Sequence, residues 1–483
     1  MFRMRLHPRR ALRIVLVVSM VLFVILNFQM IPDSSEEQRL RNHHMVAGGG
    51  LAVEDMHVQL GNSQRNARHG DDHKSDADFR VSLSRPVHPK IVIAAGSNQT
   101  QPASLQGPSL TLNTSNLEEI KQEIQRLNKE QYVHNLDKFG LALGSESIVM
   151  VIQAHNRADH LKLLISSLSK VRGIDNVLLV VSHDVYSHEL NELIGSITFC
   201  PVLQIFFPHS QQIYHNRFPG EDPNDCPRDI KKDQAVLKQC NNAGHPDKYG
   251  HYRESKYCQT KHHWIWKLRF VFEEVRLLEG YEGHVLLLED DYYVSEDILF
   301  SLQMMQNVRN KDCADCRMLV LGNYDKSQNY KVNGGKVERA YWISSKHNMG
   351  MAFTRNLWTE IKKCGKEFCD HDDYNWDWTL QHLSMKCVPN KIRLLKMKAT
   401  RVFHIGECGM HTKSKNCDPA AKVRQVETQL TQNRQYLFPN TVAVDGDSRF
   451  KLRDPKANGG WGDNRDRNMC HSFFNKSIPP FLR

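Results

Sequence analysis

A strand–helix–strand pattern that begins at residue 147 constrains the fold of this 483-residue chain more than any other feature. The continuous apolar run SIVMVIQA predicts a buried strand, and the segment RADHLKLLISSLSKV that follows has its apolar residues on one helical face. The runs NVLLVVSHD and PVLQIFF then predict a second and a third strand. Parallel strands joined by a helix form a βαβ unit, so the pattern predicts an α/β fold with a parallel sheet flanked by helices.

The first 31 residues combine a basic tail with an apolar run. Residues 1–13 contain five arginines, and residues 14–28 read IVLVVSMVLFVILNF. With its edges the run reaches about 18 residues, enough for a short transmembrane helix, and positive charge before it predicts a cytosolic N-terminus. We therefore predict a cytosolic tail at 1–13, a signal anchor at 14–31 and a lumenal remainder. The alternative is a cleaved signal peptide, although no small-x-small cleavage site follows the run.

Composition changes again after the anchor. Residues 32–115 are rich in Ser, Asn, Gln, His and Gly and lack clear periodicity, which predicts a flexible stem before a folded domain at 116–483. Helical spacing predicts a helix from Asn116 to Gly140 and another from Gln259 to about Leu278. The 64 Lys and Arg exceed the 54 Asp and Glu, but half of that excess lies in the tail. No basic cluster remains, which argues against a nucleic-acid-binding domain.

All twelve cysteines lie between Cys200 and Cys470, in the part predicted to be lumenal. An oxidising compartment favours disulfides, whose connectivity spacing alone does not fix. The pair Cys313 and Cys316 could also suggest zinc or redox chemistry, but no second Cys-x-x-Cys of zinc-ribbon spacing exists, so we predict a structural disulfide. Three N-x-[ST] sequons would be usable in the lumen, at Asn98, Asn113 and Asn475.

An acidic triplet, Glu289-Asp290-Asp291, ends the apolar run from His284 to Leu288. Carboxylates at the end of a buried central strand require partners, and ligands of open α/β sheets bind at the carboxyl ends of strands. Oxygen ligands there suit Mg²⁺ or Mn²⁺. The pattern therefore predicts a metal site, with a solvated turn as the alternative.

Two polar segments are predicted at the same edge of the sheet. One lies between the first strand and its helix, where Asn156 could cap the helix and leave an anion-friendly terminus, or do no more than cap it. Asp184 closes the second strand, where an acid can accept hydrogen bonds from a ribose hydroxyl or a base. The other segment, residues 259–263, adds a cation and two imidazoles, or is an ordinary polar helix start.

The segment DDYNWDW at residues 372–378 combines three aspartates with two tryptophans. Aromatic rings beside carboxylates suit sugars, and an Asp in apolar surroundings has a raised pKa that suits a general base. The alternative is a core tryptophan pair with a capping Asp. His404, in RVFHIGECGMH, is a structural residue unless it meets Asp291 in space.

With these motifs in place, the chain resembles the N-acetylglucosaminyltransferase II family over roughly residues 120–475. The resemblance is carried, in order, by QAHNR, SHD, HYRESKY, QTKHHWIWKL, LEDDYYV, HNMGMAFTR, DDYNWDW, FHIGECGMH and NGGWGD. It implies a GT-A type fold with a Rossmann-like central sheet and an irregular, disulfide-rich C-terminal part, on a single-pass type II Golgi membrane protein. It further implies inverting transfer of GlcNAc from UDP-GlcNAc, with Mn²⁺, in beta-1,2 linkage to the alpha-1,6-arm mannose of a trimmed N-glycan on a glycoprotein.

The resemblance also implies residue roles. Asp377 is the implied catalytic base, Asp291 and His404 the implied metal ligands. The implied donor contacts are Gln153, Ala154, His155, Asn156, Arg157, Asp184, Gln259, Thr260, Lys261, His262 and His263. The implied substrate-side residues are Glu289, Asp290, Asn348 and Trp376. One departure is Gln328, which stands where the family has an arginine at the nucleotide site.

The family pattern implies five disulfides and leaves Cys200 and Cys258 unpaired. The pairs are Cys226–Cys240, Cys313–Cys316, Cys364–Cys387, Cys369–Cys470 and Cys408–Cys417. Two other function classes stay open: a non-catalytic glycan-binding protein and a metal-dependent nucleotide-sugar hydrolase. The sequence does not determine the oligomeric state, so a homo-oligomer stays open.

Overall fold

The computed structural model describes residues 91–93, 105–406 and 418–475, with the backbone alone at 91–93. The predicted tail and anchor, most of the stem, Asn98 and the Cys408–Cys417 pair lie outside these residues. Within the described part of the chain, no helix has the length and apolar character needed to cross a membrane.

Fourteen short strands form the sheets of the described residues. In chain order, β1 to β14 are Ile91–Ile93, Val133–His134, Leu141–Leu143, Ile148–Ala154, Leu178–His183, Val202–Phe206, His284–Glu289, Tyr292–Val294, Met318–Val320, Lys336–Tyr341, Met351–Phe353, Arg393–Met397, Val402–His404 and Ala443–Asp447. Ten of them form one mixed sheet in the order β14-β10-β12-β9-β11-β7-β4-β5-β6-β2. Strands β7, β4, β5 and β6 are parallel neighbours, which confirms the predicted βαβ arrangement.

Helices lie between these strands. The α-helices span Leu117–Glu130, Leu136–Phe139, Ala158–Leu168, His188–Gly195, Lys232–Lys238, Ser255–Glu273, Ile298–Asp312, Tyr330–Asn333, Ser344–His347, Arg355–Lys363, Gly365–Asp370, Trp376–Lys386, Pro419–Gln432 and Asn464–Asn475. Short 3-10 turns occur at Ile174–Asn176, Arg276–Leu278 and Arg434–Tyr436.

Both faces of the central strands are buried, as the uninterrupted apolar runs predict. Val149 and Val151 of β4 belong to one hydrophobic cluster, which contains residues of the Ser255–Glu273 helix. Met150 and Ile152 alternate with them and belong to a second cluster, which contains residues of the Ala158–Leu168 helix. The sheet is therefore held between two apolar layers, and polar groups at its carboxyl edge have fixed positions.

The predicted helix from Asn116 to Gly140 is too long. Asn116 does cap it, since its side chain accepts the N–H groups of Glu118 and Glu119, but the helix ends at Glu130. Gln131 adopts the left-handed conformation with φ 53°, and strand β2 follows. The second predicted long helix begins at Ser255, ends at Glu273 and is followed by a 3-10 turn.

Four of the five implied disulfides are confirmed. They are Cys226–Cys240, Cys313–Cys316, Cys364–Cys387 and Cys369–Cys470. Cys200 and Cys258 are buried free thiols, as the family pattern implies. The last two bridges join helices of the C-terminal third to one another and to the end of the described chain.

Candidate active site

A cavity of about 410 Å³ opens at the carboxyl edge of the central parallel strands. Gln153 of β4 pairs in register with Ser182 of β5 on one side and with Glu289 of β7 on the other. The wall of the cavity carries three carboxylates, from Glu289, Asp291 and Asp377. Apolar runs that end in polar residues thus place the predicted groups along one line across the sheet.

Arg157 joins the first polar segment to the acidic triplet. Its Nη1 donates to Asp291 Oδ2 at 2.9 Å, and its Nη2 donates to Asp290 Oδ1. Asp290 is fully buried, and its Oδ2 accepts the backbone N–H of His155 at 2.7 Å. Asp290 therefore holds the loop that contains His155 and Arg157, and it does not line the cavity. This position does not fit the substrate-side role that the resemblance implies for it.

The capping role predicted for Asn156 is wrong. The helix begins at Ala158 with Arg157 at its boundary, and no side chain caps it. Asn156 is exposed and does not line the cavity. Ala154 is buried in β4, and its carbonyl accepts the backbone N–H of Asp184 at 3.4 Å. Within this segment, only Gln153, His155 and Arg157 line the cavity.

Asp291 and His404 meet in space. Strand β13 pairs antiparallel with β8, so that His404 lies directly opposite Tyr292. As a result, His404 Nε2 is 3.5 Å from Asp291 Oδ2. Burial raises the pKa of Asp291, but the hydrogen bond with His404 and the charge of Arg157 bring it below its ordinary value.

These two side chains fit a divalent cation. Asp291 Oδ1 is buried and has no hydrogen-bond partner within the described residues. Such an atom loses its hydration without compensation unless something positive contacts it. A carboxylate oxygen and an imidazole nitrogen together are donors that Mn²⁺ accepts. Both residues line the cavity.

A second polar cluster surrounds Asp184. His155 Nδ1 lies 2.5 Å from Asp184 Oδ2, and Gln259 Nε2 donates to the same oxygen at 3.1 Å. The buried His263 ring lies 4.0 Å from that oxygen and contacts Ser182 Oγ at 2.8 Å. Burial lowers the pKa of His155, but Asp184 more than offsets this and raises it to about 9. The cluster therefore presents an imidazolium beside a carboxylate.

His155, Asp184 and His263 also hold their ligand atoms within 4.8 Å of one another. Among the described residues, the other such group is Cys313, Asp315 and Cys316, whose two sulfurs are bonded to each other. The Cys-x-x-Cys is thus a disulfide, as predicted, and not a zinc site.

Lys261 and His262 do not line the cavity, although the resemblance implies donor contacts for both. Lys261 Nζ donates to the carbonyl of Asp373 at 2.8 Å and lies 4.2 Å from the centre of the Trp461 ring. His262 Nε2 is 3.1 Å from the carbonyl of Asp466. Successive helical residues point about 100° apart, so these two face the C-terminal segment while Thr260 faces the cavity.

Gln328 is also held away from the cavity. Its Nε2 donates to Asn323 Oδ1 at 2.6 Å, and its Oε1 accepts the backbone N–H of Thr400 at 3.0 Å. Both ends of the amide are used inside the fold, so Gln328 does not replace the family's arginine as a nucleotide contact.

Asp377 stands on the opposite wall, in the first turn of the helix Trp376–Lys386. Its Oδ2 accepts hydrogen bonds from Ser344 Oγ at 2.7 Å and Asn348 Nδ2 at 3.1 Å. Its Oδ1 accepts the backbone N–H of Trp378 at 2.9 Å. Burial raises the pKa of Asp377 although these hydrogen bonds oppose the rise. A fixed carboxylate of raised pKa is suited to accept a proton.

The neighbouring acids are structural. Asp373 is fully buried, and its two oxygens accept four hydrogen bonds from the backbone and side chains of Asn375 and Asn458. Asp372 accepts backbone N–H groups of Lys248 and Trp461. Neither acid lines the cavity, so Asp377 is the carboxylate of the DDYNWDW segment that reaches it.

Trp376 lines the cavity and is held by a stacked partner. Its ring lies 4.6 Å from that of Trp264 with an interplanar angle of 6°. The tryptophan is thus part of the core and part of the cavity wall at once. Four further residues that the sequence did not predict line the cavity, namely Tyr292, Tyr324, Tyr374 and Asn375.

Three of these residues carried a signal. Tyr292 directly follows the acidic triplet, and Tyr374 and Asn375 lie within the DDYNWDW segment. Tyr324 had no comparable signal, because it lies in an irregular segment after β9. Its hydroxyl donates to Asn348 Oδ1 at 2.8 Å, which extends the hydrogen bonds that support Asp377.

Comparison with known proteins identifies the family of this chain. A model of the family described as N-acetylglucosaminyltransferase II (MGAT2) matches residues 121–470. The chain is therefore a glycosyltransferase. Its cavity, which a candidate base and a candidate cation site both line, suits that class of enzyme. More narrowly, the chain belongs to the N-acetylglucosaminyltransferase II family.

Similar curated proteins bear one name, alpha-1,6-mannosyl-glycoprotein 2-beta-N-acetylglucosaminyltransferase. The protein from Sus scrofa is 47% identical over 72% of this chain and 78% of its own length. The protein from Homo sapiens is 40% identical over 98% of this chain and 99% of its own. Among solved structures, S. aureus TarS 1-349 covers 60% of this chain and 69% of its own at 12% identity, but its TM-score of 0.28 supports no inference.

Proposed function

We propose that this chain transfers GlcNAc from UDP-GlcNAc to a mannose 2-hydroxyl on the alpha-1,6 arm of a trimmed N-glycan, with inversion, on a GT-A type fold. The observation that carries the proposal is Asp377, a carboxylate of raised pKa that shares one cavity with Asp291 and His404. Two findings support the choice of donor and acceptor. The chain belongs to the family, and a relative named for this activity is similar over 98% of the chain.

The reaction is one in-line displacement at the anomeric carbon. The mannose oxygen forms a bond to that carbon as the bond to the UDP oxygen breaks, and Asp377 receives the hydroxyl proton. The leaving group departs from the face opposite the attack, so alpha configuration becomes beta. One base is sufficient because no covalent intermediate forms.

The chain's own residues have distinct tasks in this scheme. Ser344 and Asn348 fix the orientation of Asp377, so that its Oδ1 stays available to the acceptor hydroxyl. The His155–Asp184 pair supplies complementary charge for the polar edges of the uridine. Asp291 and His404 would hold Mn²⁺, which would supply positive charge to offset the negative charge of the departing diphosphate.

Activity assays distinguish this function from the two alternatives. The purified chain is incubated with UDP-GlcNAc and Mn²⁺, with and without a defined N-glycan acceptor, and UDP, free GlcNAc and product linkage are measured. UDP release that requires the acceptor, with a new beta-1,2 linkage, is expected. Free GlcNAc without acceptor would indicate a hydrolase, and binding without UDP release would indicate a glycan-binding protein.

We further propose a single-pass type II protein of the Golgi membrane. The arginine-rich residues 1–13 before the apolar run 14–28 support this orientation, and four disulfides are consistent with a lumenal domain. Asn113 and Asn475 are exposed, as glycosylation acceptors must be. Protease added outside sealed vesicles should leave the C-terminal domain intact, and digestion of that domain would contradict the proposal.

A further inference from the structure

Lys267 is a buried lysine that the mechanism above does not use. It lies on the helix Ser255–Glu273, and only 1% of its surface is exposed. Its Nζ donates to Gln153 Oε1 at 2.7 Å. Burial lowers its pKa to about 7, while the nearby Glu289 carboxylate opposes that fall. Burying an ammonium is costly, so its position beneath the cavity floor calls for a physical reason.

The contact with Lys267 fixes the orientation of the Gln153 amide. Lys267 Nζ donates to the amide oxygen, so that oxygen faces the lysine and the amide nitrogen faces the other way. Gln153 lines the cavity, and its Nε2 makes no hydrogen bond to the described residues. The side chain therefore presents an N–H donor to the cavity and cannot turn its oxygen there without losing Lys267.

Glu289 supplies the matching acceptor. It lies on the neighbouring strand in register with Gln153, which places the two backbones about 4.8 Å apart. Its side chain also lines the cavity, and its carboxylate accepts no hydrogen bond from the described residues. A donor and an acceptor on adjacent strands suit a neutral ligand with polar groups on adjacent atoms, as a sugar ring has.

The order of strands places this pair between the two ends of the reaction. Asp184 follows β5 on one side, and Asn348, which holds Asp377, precedes β11 on the other. Gln153 on β4 and Glu289 on β7 lie between those strands. A donor that has its nucleotide at Asp184 and its reacting carbon near Asp377 has its sugar over this pair.

We propose that Lys267 is a positioning residue, which orients the Gln153 amide so that Gln153 and Glu289 together recognise polar groups of the donor sugar. This inference rests on the proposed function. Lys267 acts through Gln153 and does not touch the donor, so its removal changes recognition of the sugar and leaves recognition of the nucleotide in place.

The test compares the affinities for UDP-GlcNAc and for UDP, which share the nucleotide and differ in the sugar. Dissociation constants are measured with the full chain and Mn²⁺ for wild type, Lys267→Met, Gln153→Leu and the double variant. Lys267→Met should weaken UDP-GlcNAc binding about tenfold, the scale of one or two hydrogen bonds, with UDP affinity unchanged. The double variant should be no weaker than Gln153→Leu, because Lys267 acts through that side chain.

A matched control separates positioning from a merely structural role. Methionine has a similar length, but it leaves the Gln153 amide oxygen without its donor and Glu289 without a nearby cation, so Lys267→Met should melt at a lower temperature. Lys261→Met is the matched control, because Lys261 is equally buried on the same helix but bonds the carbonyls of His371 and Asp373. It should lower the melting temperature and leave the ratio of the two dissociation constants unchanged.

Four results would overturn the inference. Two concern Lys267→Met: an equal loss of affinity for UDP and UDP-GlcNAc, or no loss of affinity for either. The third is a double variant in which the losses of UDP-GlcNAc affinity from the two single variants add, and the fourth is a changed ratio of the two dissociation constants in Lys261→Met. If Lys267→Met fails to fold, Lys267→Gln takes its place, because a neutral amide can both donate and accept and so no longer fixes the Gln153 oxygen toward it. If the wild-type chain transfers GlcNAc and Lys267→Met has the wild-type ratio of the two dissociation constants, only this inference is contradicted. If the wild-type chain transfers no GlcNAc, the proposed function itself is contradicted.

Discussion

Replacing Asp377 by asparagine separates the basicity of this side chain from most of its hydrogen bonds. The two donors that face Oδ2, Ser344 Oγ and Asn348 Nδ2, hold the amide oxygen of the asparagine in that place. The amide nitrogen then faces the backbone N–H of Trp378, and that one bond is lost. We therefore expect the free energy of unfolding to fall by about 1–3 kcal/mol and the chain to stay folded.

The loss of activity should be much larger than this loss of stability. An asparagine accepts no proton, and a positioned general base contributes about 10²- to 10⁴-fold to the rate. Asp377→Asn should therefore lower kcat by at least about 10²-fold. Affinity for UDP with Mn²⁺ should change little, because those contacts come from other segments. UDP release, titration calorimetry and thermal melting measure the three quantities.

Asp372→Asn and Asp373→Asn are the matched controls. An asparagine at 373 has one oxygen where four donors now converge, from Asn375 and Asn458, so it should lose more stability than Asp377→Asn and less kcat. A near-normal kcat for Asp377→Asn, or a larger loss of kcat at 373, would refute the assignment of the base.

Three further predictions follow from the charges and cross-links. Asp291→Ala should abolish Mn²⁺-dependent turnover while thermal melting shows a folded chain. Asp184 raises the pKa of His155 to about 9 in the folded chain, against about 6.5 in the unfolded chain. The charged His155 therefore stabilises the fold fully below about pH 6.5, and this contribution is lost as the pH rises through about 9. Denaturant titrations should show this fall, and His155→Gln should flatten it. Replacing both Cys369 and Cys470, which are 101 residues apart, should cost about 4.7 kcal/mol by chain entropy.

Each of these has an outcome that contradicts it. Activity of Asp291→Ala with unchanged Mn²⁺ dependence would place the cation elsewhere. If the free energy of unfolding of His155→Gln falls with pH as it does in the wild type, other groups cause the pH dependence. Serines at both Cys226 and Cys240, which close only 14 residues, should cost about 3 kcal/mol, and an equal loss at the two bridges would contradict the chain-entropy argument.

The sequence predicted the carboxyl edge of the sheet well because the pattern there is local. Apolar runs that lead into Gln153, Asp184 and Glu289 predict each strand and its end to within one residue. The combination of three aspartates and two tryptophans singled out the DDYNWDW segment, and the family resemblance then implied Asp377 as the base. What the sequence could not determine was the orientation of side chains on the Ser255–Glu273 helix.

That helix shows why motif membership misleads. Gln259, His263 and Lys267 lie four residues apart and share one face, which is directed toward β4 and β5. Lys261 and His262 belong to the same motif but face another way. The spacing that identifies Lys267 was present in the sequence, yet only the position of the helix against the sheet shows which face is used.

The pairing of β13 with β8 has a consequence for biosynthesis. His404 reaches Asp291 only because residues 402–404 return to pair with residues 292–294, more than a hundred positions earlier in the chain. A polypeptide synthesised only through Glu289 already contains the parallel strands of the central sheet, but neither Asp377 nor the imidazole of the candidate cation site. We therefore expect an incomplete product that ends before His404 to lack transfer activity.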